Sequence, residues 1–319
     1  MTERLFIKLL IVVLVLFSGC SKDITPPLRL GTNVWPGYEP LYLARDKNFL
    51  NHQRVHLVEY SNSSQVISSF RNGLIDAAAL TLDEILLLLE SGEKITIILV
   101  MDISDGADAI IGNQNLKNLA DIKGRRVGVE GNALGAYMVT RALETVGLDR
   151  KAIKIVQMGV DEHEKAFKDK QVDAVVTFEP VSSKLMAAGG KLLFDSRQIP
   201  GEVVDVMVVR NDYLQRYPET INHLTNAWNE ALNYFKQHPR DAARILGKRM
   251  KLDVDQTLIA YEGLALPGQA ANQRMLAGKP EPLLLGTAKK LAVLMSEQGL
   301  LSKVVDVSSL FNNTLRVEK

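Results

Sequence analysis

Aromatic and acidic residues gather at four short turns, and their chemistry is that of binding. The first turn is Trp35-Pro36-Gly37-Tyr38, two large rings around a glycine. Thr81-Leu82-Asp83 is the second, Glu130-Gly131-Asn132 with Gly135 just beyond is the third, and Phe178-Glu179-Pro180 is the fourth. Rings can stack on a flat ligand or cover an ammonium group. Glu179 can hold positive charge, as can Asp105 beside Gly106. Glycine keeps the backbone bare, so Asn132 and the N–H groups near Gly135 can reach a small ligand. None of the four turns carries Arg or Lys, the direct partners of an anion, although a helix N-terminus can hold one alone.

Each residue also has a plainer reading. Trp35 and Tyr38 can be core rings lying over a sheet. Asn132 can be an N-cap, and Glu179 a carboxylate favoured by a helix dipole. Asp105 and Asp108 can be solvated loop charges, Asp105 being the better cleft candidate, while Asp83 and Glu84 begin a helix.

Catalytic patterns are lacking. The chain has no G-x-S-x-G elbow and no H-E-x-x-H. His52 and His56 are four apart in a loop-to-strand region, where they share no helix face, and His163, His223 and His238 are scattered. The run Gly128 to Gly135 matches neither G-x-G-x-x-G nor a P-loop. Cys20 is the single cysteine, which excludes an internal disulfide, a thiolate zinc cluster and a catalytic thiol in the folded domain. The expectation is a protein without catalysis, cofactor or metal.

The elements that must position the turns alternate between strand and helix. Leu28 to Val34 reads as a strand, and a helix restarts near Pro40, since proline lacks an N–H and suits a first turn. Strands follow at 54–60, 75–81 and 95–101, separated by helices at 64–72, closed by Gly73, and 84–90. A loop from Asp102 runs into a strand ending at Ile111. Beyond it come strands at 125–129, 152–157 and 174–177, with helices at 133–146, 162–168 and up to Ala188. Short apolar strands between helices of this length indicate parallel βαβ packing. The strand Val203 to Val209 brings the chain back, and helices at 213–237, 240–248, 254–262 and 284–298 follow. Leu264 to Pro282 reads as a long loop with one helical turn at most.

These boundaries predict an α/β protein of two hinged lobes with a helical C-terminal region, lobe 1 spanning 28–110 plus 206–319 and lobe 2 spanning 111–205. Ligands of open α/β sheets bind outside the carboxyl ends of the strands, where all four turns fall, and a cleft between hinged lobes suits a small molecule.

Residues 1–19 stand apart. Arg4 and Lys8 precede an apolar run from Leu9 to Phe17, too short to span a bilayer, and Ser18-Gly19 gives a small-residue cleavage site. Phe17-Ser18-Gly19-Cys20 resembles a bacterial lipobox, with Phe17 where leucine is preferred; Cys20 is then the lipidated N-terminus, and residues 20–27 a tether. Hydrophobic residues make up 46% of the 319, which argues against disorder, and Lys+Arg 38 against Asp+Glu 37 predicts no nucleic-acid partner.

The order and spacing of several segments resemble bacterial solute-binding proteins of ABC importers, specifically the nitrate/sulfonate/taurine group with its NMT1/THI5-like precursor binders. The segments are GTNVWPGYEPLYLARD at 31–46, DAAALTLDE at 76–84, GADAII at 106–111, DIKGRRVGVE at 121–130 with the following GNALGAYMVTRALETVGL, and VDAVVTFEP at 172–180. The resemblance implies a type II periplasmic-binding-protein fold that closes on its ligand. It also implies a periplasmic location, a monomer, and permease and ATPase subunits as partners. By position, ligand contacts would come from Trp35, Tyr38, Thr81, Asn132, Gly135 and Glu179, with Asp105. The yeast-type pyrimidine synthases of this family rely on a cysteine-rich motif that the chain lacks. Glu179, Asp105 and the rings favour an amine or nitrogen heterocycle, whereas the resemblance names sulfonate- and nitrate-type anions equally. An alternative role is ligand sensing for a membrane diguanylate cyclase or histidine kinase.

Overall fold

A computed structural model describes residues 25–131 and 133–311. Residues 1–19 with their expected cleavage site, Cys20 and Asn132 therefore lie outside the described residues.

Strand β1 (Leu28–Thr32) leads through a 3-10 turn at Pro36–Tyr38 into helix α1 (Glu39–Asp46). Then come β2 (Val55–Glu59), α2 (Ser63–Arg71), β3 (Ala77–Thr81), α3 (Leu82–Glu90) and β4 (Ile95–Ser104). The middle of the chain carries β5 (Asp108–Gly112), β6 (Arg126–Val129), α4 (Ala133–Thr145), β7 (Lys154–Gln157) and α5 (Val160–Lys168). It closes with β8 (Ala174–Phe178), α6 (Val181–Ala187) and β9 (Lys191–Asp195). After β10 (Val204–Arg210) the chain is helical: α7 (Asn211–Arg216), α8 (Pro218–Gln237), α9 (Pro239–Met250) and α10 (Val254–Glu262). The short β11 (Leu264–Ala265), α11 (Gln269–Ala277) and α12 (Leu283–Glu297) follow.

Two sheets result, ordered β11-β4-β10-β3-β1-β2 and β7-β6-β8-β5-β9. Within each, three neighbouring strands are parallel, β2-β1-β3 in the first and β7-β6-β8 in the second. Central strands such as β3 (AAALT) and β8 (AVVTF) are buried along their whole length, as strands covered on both faces must be. The returning strand β10 lies antiparallel between β3 and β4. Because β4 leaves one sheet and β10 re-enters it, the chain changes sheets twice, at 105–107 and at 196–203. Residues 108–110, expected in lobe 1, belong to β5 of the second sheet.

Helix α2 shows how local signals set a boundary. Asn62 is its N-cap, its Oδ1 accepting the Gln65 N–H at 3.1 Å, and Gly73 takes a left-handed φ of 69° just past its end. Replacing Asn62 with alanine is expected to cost about 1 kcal/mol in urea unfolding.

Three expectations are corrected, and one strand is added. Asp102 to Ser104 continue β4 rather than forming a loop, because β10 and β11 pair with them. The helix expected from Tyr213 breaks at Tyr217, where Pro218 disfavours helical backbone in the residue before it. Part of the segment 264–282 forms the nine-residue α11, fixed from outside: Asn272 hydrogen-bonds both the N–H and the C=O of Val100 on β4. The added strand is β9, an edge strand whose first residues are exposed, which blurs the alternation.

Candidate ligand-binding site

The turns after β1, β3, β6 and β8 meet where the two sheets face each other. Trp35, only 4% exposed, donates from Nε1 to Asp102 Oδ2 at 3.0 Å. The same ring meets Phe178 of the opposite lobe edge to face, with centroids 5.3 Å apart and planes at 89°. Tyr38 is equally buried and donates its hydroxyl to Asp205 Oδ1. Gly37 permits this packing: a Cβ there would stand 1.7 Å from Asp102 Oδ2 and 2.5 Å from Trp35 Nε1.

Strand register assembles the acidic floor. Asp205 on β10 stands opposite Asp102 on β4 and opposite Thr81 on β3. Two carboxylates directly opposed across strands repel if both are ionised. Around them lie Asp83, Glu84, Asp108 and Glu130, each no more than 5% exposed. Burial is the dominant influence, since it penalises the charged form. It pushes the Asp102, Asp108 and Glu130 carboxyls up to about 7 and Asp83 up to about 8. Asp205 is raised well above the usual carboxylate range by burial and by its neighbour Asp102. Among the described residues, Asp108 Oδ2, Glu130 Oε2 and Glu179 Oε2 are buried acceptors without a hydrogen-bond donor. Such atoms are costly unless something supplies the missing proton.

Two small cavities mark the meeting point. The first, about 20 Å³, is lined by Trp35, Tyr38, Thr81, Glu84, Asp108 and Asp205, with Asn33, Ser63, Leu134 and Phe178. A second, about 10 Å³, is lined by Glu130, Gly135, Met138, Val176 and Thr177 and shares Asp108, Leu134 and Phe178. Neither lining contains Lys, Arg or His. A volume of this size holds about one water molecule, so the lobes are closed on each other. No group of three or more acidic or imidazole side chains among the described residues is placed to hold a metal ion. A larger groove is lined by Phe235, Tyr261 and Leu266 and by none of these carboxylates.

Trp35, Tyr38 and Thr81 thus meet at the first cavity and Gly135 at the second. Gly135 serves packing, because a Cβ there would lie 2.7 Å from the Glu130 carbonyl oxygen. Glu179 is half-buried at the margin and accepts the Ser183 hydroxyl at 2.8 Å. Asp105 is exposed at the crossing and lines neither cavity, whereas the buried Asp108, three residues on, lines both, because it opens β5 beside Phe178. Sequence reasoning missed Asp102 and Asp205, and treated Asp83 and Glu84 as helix-start charges only. A signal was present: a lone carboxylate inside an apolar strand run, as in Val203 to Val209, has to be partnered or functional.

Comparison with known proteins agrees with the architecture. The model of the NMT1-like family matches residues 21–249. A Brucella abortus (strain 2308) protein described as a binding protein is 23% identical over 155 residues, 46% of this chain and 47% of that protein, so the chain spans about half the length of this relative. The taurine-binding periplasmic protein of Escherichia coli (strain K12) is 19% identical over 184 residues, 57% of each chain. Among solved structures, the alkanesulfonate-binding protein SsuA from Xanthomonas axonopodis pv. citri superposes with a TM-score of 0.76 at 19% identity, covering 89% of this chain and 97% of that one. The two-sheet architecture is that of the periplasmic binding proteins.

Proposed function

The chain belongs to the NMT1-like family, and from that premise we propose that it is a periplasmic solute-binding lipoprotein. It captures a small amine or nitrogen heterocycle between its lobes and hands it to an ABC permease and ATPase. The observation that carries the ligand class is the cavity lining: buried carboxylates, three rings and no basic side chain. An ammonium or protonated ring nitrogen would donate to Asp108 and Glu130, whose free oxygens lack donors among the described residues, while Trp35 and Phe178 supply ring faces and edges. A sulfonate would enter the same space against several carboxylates and no cation to offset them. The protein is a carrier, with no step of bond making in its cycle.

Ligand entry requires the lobes to part at the crossings 105–107 and 196–203, since the closed cavity has room for little more than a water molecule. Anchoring falls to Cys20, and no helix among the described residues is long and apolar enough to cross a membrane.

Thermal melting of the soluble chain from Ser21 onward tests the reading. The panel sets cations (choline, putrescine, aminopyrimidines) against anions (ethanesulfonate, nitrate, bicarbonate). A ligand at about 100 times its Kd adds about 2.7 kcal/mol, and each kcal/mol raises Tm by roughly 2–4 °C in a chain of this size. The expected result is a rise of several degrees with a cation. A rise confined to the anions would overturn the assignment.

A further inference from the structure

We propose that Glu130 determines the charge of the ligand, its own carboxylate filling the position in which an anionic ligand would bind; this rests on the amine reading above. Helix α2 starts at the cleft from the first lobe, and a helix start with free N–H groups is a ready anion site. Glu130 reaches it from the second lobe, at the end of β6. Its Oε1 accepts from Ser63 Oγ at 3.2 Å, from the Ser64 backbone N–H at 3.4 Å and from Ser64 Oγ at 3.5 Å. The donors that would clasp a sulfonate oxygen are therefore already turned toward a carboxylate of the same chain.

Two further features favour a cation there. Glu130 Oε2 is buried without a donor among the described residues, beside the cavity it lines with Asp108. Ser63 Oγ also lies 2.6 Å from Glu84 Oε1. A hydroxyl has one proton, so the two glutamates compete for it, and a ligand N–H would relieve that competition. An incoming anion would have to displace Glu130 and then lie beside Glu84. Asn62 reinforces the contact, donating to Asp161 of the second lobe at 3.3 Å.

Isothermal titration with ethanesulfonate tests the assignment, using the wild type, Glu130→Ala and the double variant Glu84→Gln/Glu130→Ala. The wild type is expected to give no saturable heat. Glu130→Ala should bind ethanesulfonate about tenfold tighter or better, and the double variant tighter again, because like-charge contacts are strongly unfavourable. Glu130→Gln keeps the shape and shows the same direction with a smaller gain, which covers a failure of the alanine variant to fold. If folded variants bind ethanesulfonate no better than a wild type that rejects it, the role of Glu130 is overturned and the amine reading stands. If the wild type itself binds ethanesulfonate tightly, the amine reading fails, and the role of Glu130 with it.

Discussion

Replacing Arg249 with alanine is expected to cost about 2–3 kcal/mol of folding stability, because it leaves the buried Glu39 carboxyl, which burial raises to about 8, without its partner. Glu39 opens helix α1 and is fully buried, with its Oε1 2.6 Å from Arg249 Nη1. Arg249 comes from the last turn of α9 and is itself largely buried, its guanidinium 3.3 Å from the centroid of the Tyr42 ring. Its Nη2 stands 3.0 Å from Glu59 Oε2 in a second ion pair. The contact clamps the C-terminal helices onto α1, and α1 continues directly from the turn that carries Trp35 and Tyr38. With the guanidinium gone, burial acts on the Glu39 carboxyl without its main counterweight. The double variant Glu39→Met/Arg249→Met removes both charges and is expected to recover most of the loss, since apolar replacement of a buried pair is often neutral or better. Urea unfolding of the three proteins decides it: equal losses in the single and double variants would show that the arginine contributes packing rather than charge compensation.

The second large effect is on pH. Asp83, Asp102, Asp108, Glu130 and Asp205 are all held above the usual carboxylate range by burial. A carboxyl raised on folding stabilises the fold while it is protonated. Its contribution is complete below about pH 4 and is lost as pH climbs through 7 to 8. One unit of displacement is worth about 1.4 kcal/mol for an isolated group, so the five together should remove several kcal/mol at least between pH 5 and pH 8.5. Parting of the lobes relieves the repulsion by letting water reach the carboxylates, which limits the loss. The buried His163, lowered to about 4, acts in the opposite sense below pH 6.5 but is a single group. Without added ligand, Tm is expected to fall from pH 5 to pH 8.5 while the radius of gyration grows. A cationic ligand should flatten both trends, since its charge replaces the protons. A Tm that rises steadily over the same range would mean that these carboxylates are ionised and compensated in the fold.

These two effects separate what was readable from what was not. The turn Trp35 to Tyr38, the helix restart at Pro40 and the stop at Gly73 are written in residues a few positions apart, because proline, glycine and N-cap chemistry act locally. The alternation of apolar strands and helices settled the α/β class in the same way, and the ordered segments from 31 to 180 pointed to the family. Elements defined from outside were missed: α11 depends on Asn272 pairing with the edge of β4, and edge strand β9 has little pattern of its own.

The sequence alone determined the strand-to-helix turns and the rings and acids placed in them. Only the tertiary structure decided which carboxylates share one space. Asp102 and Asp205 become neighbours because β10 returns antiparallel beside β4, and Glu130 meets Ser63 because the two sheets face each other. Asp105 and Asp108 look alike in sequence, yet one is exposed at a crossing and the other buried at the start of β5. Such pairings join residues far apart in the chain. They are set by burial and strand register over the whole molecule, which no local run of residues encodes.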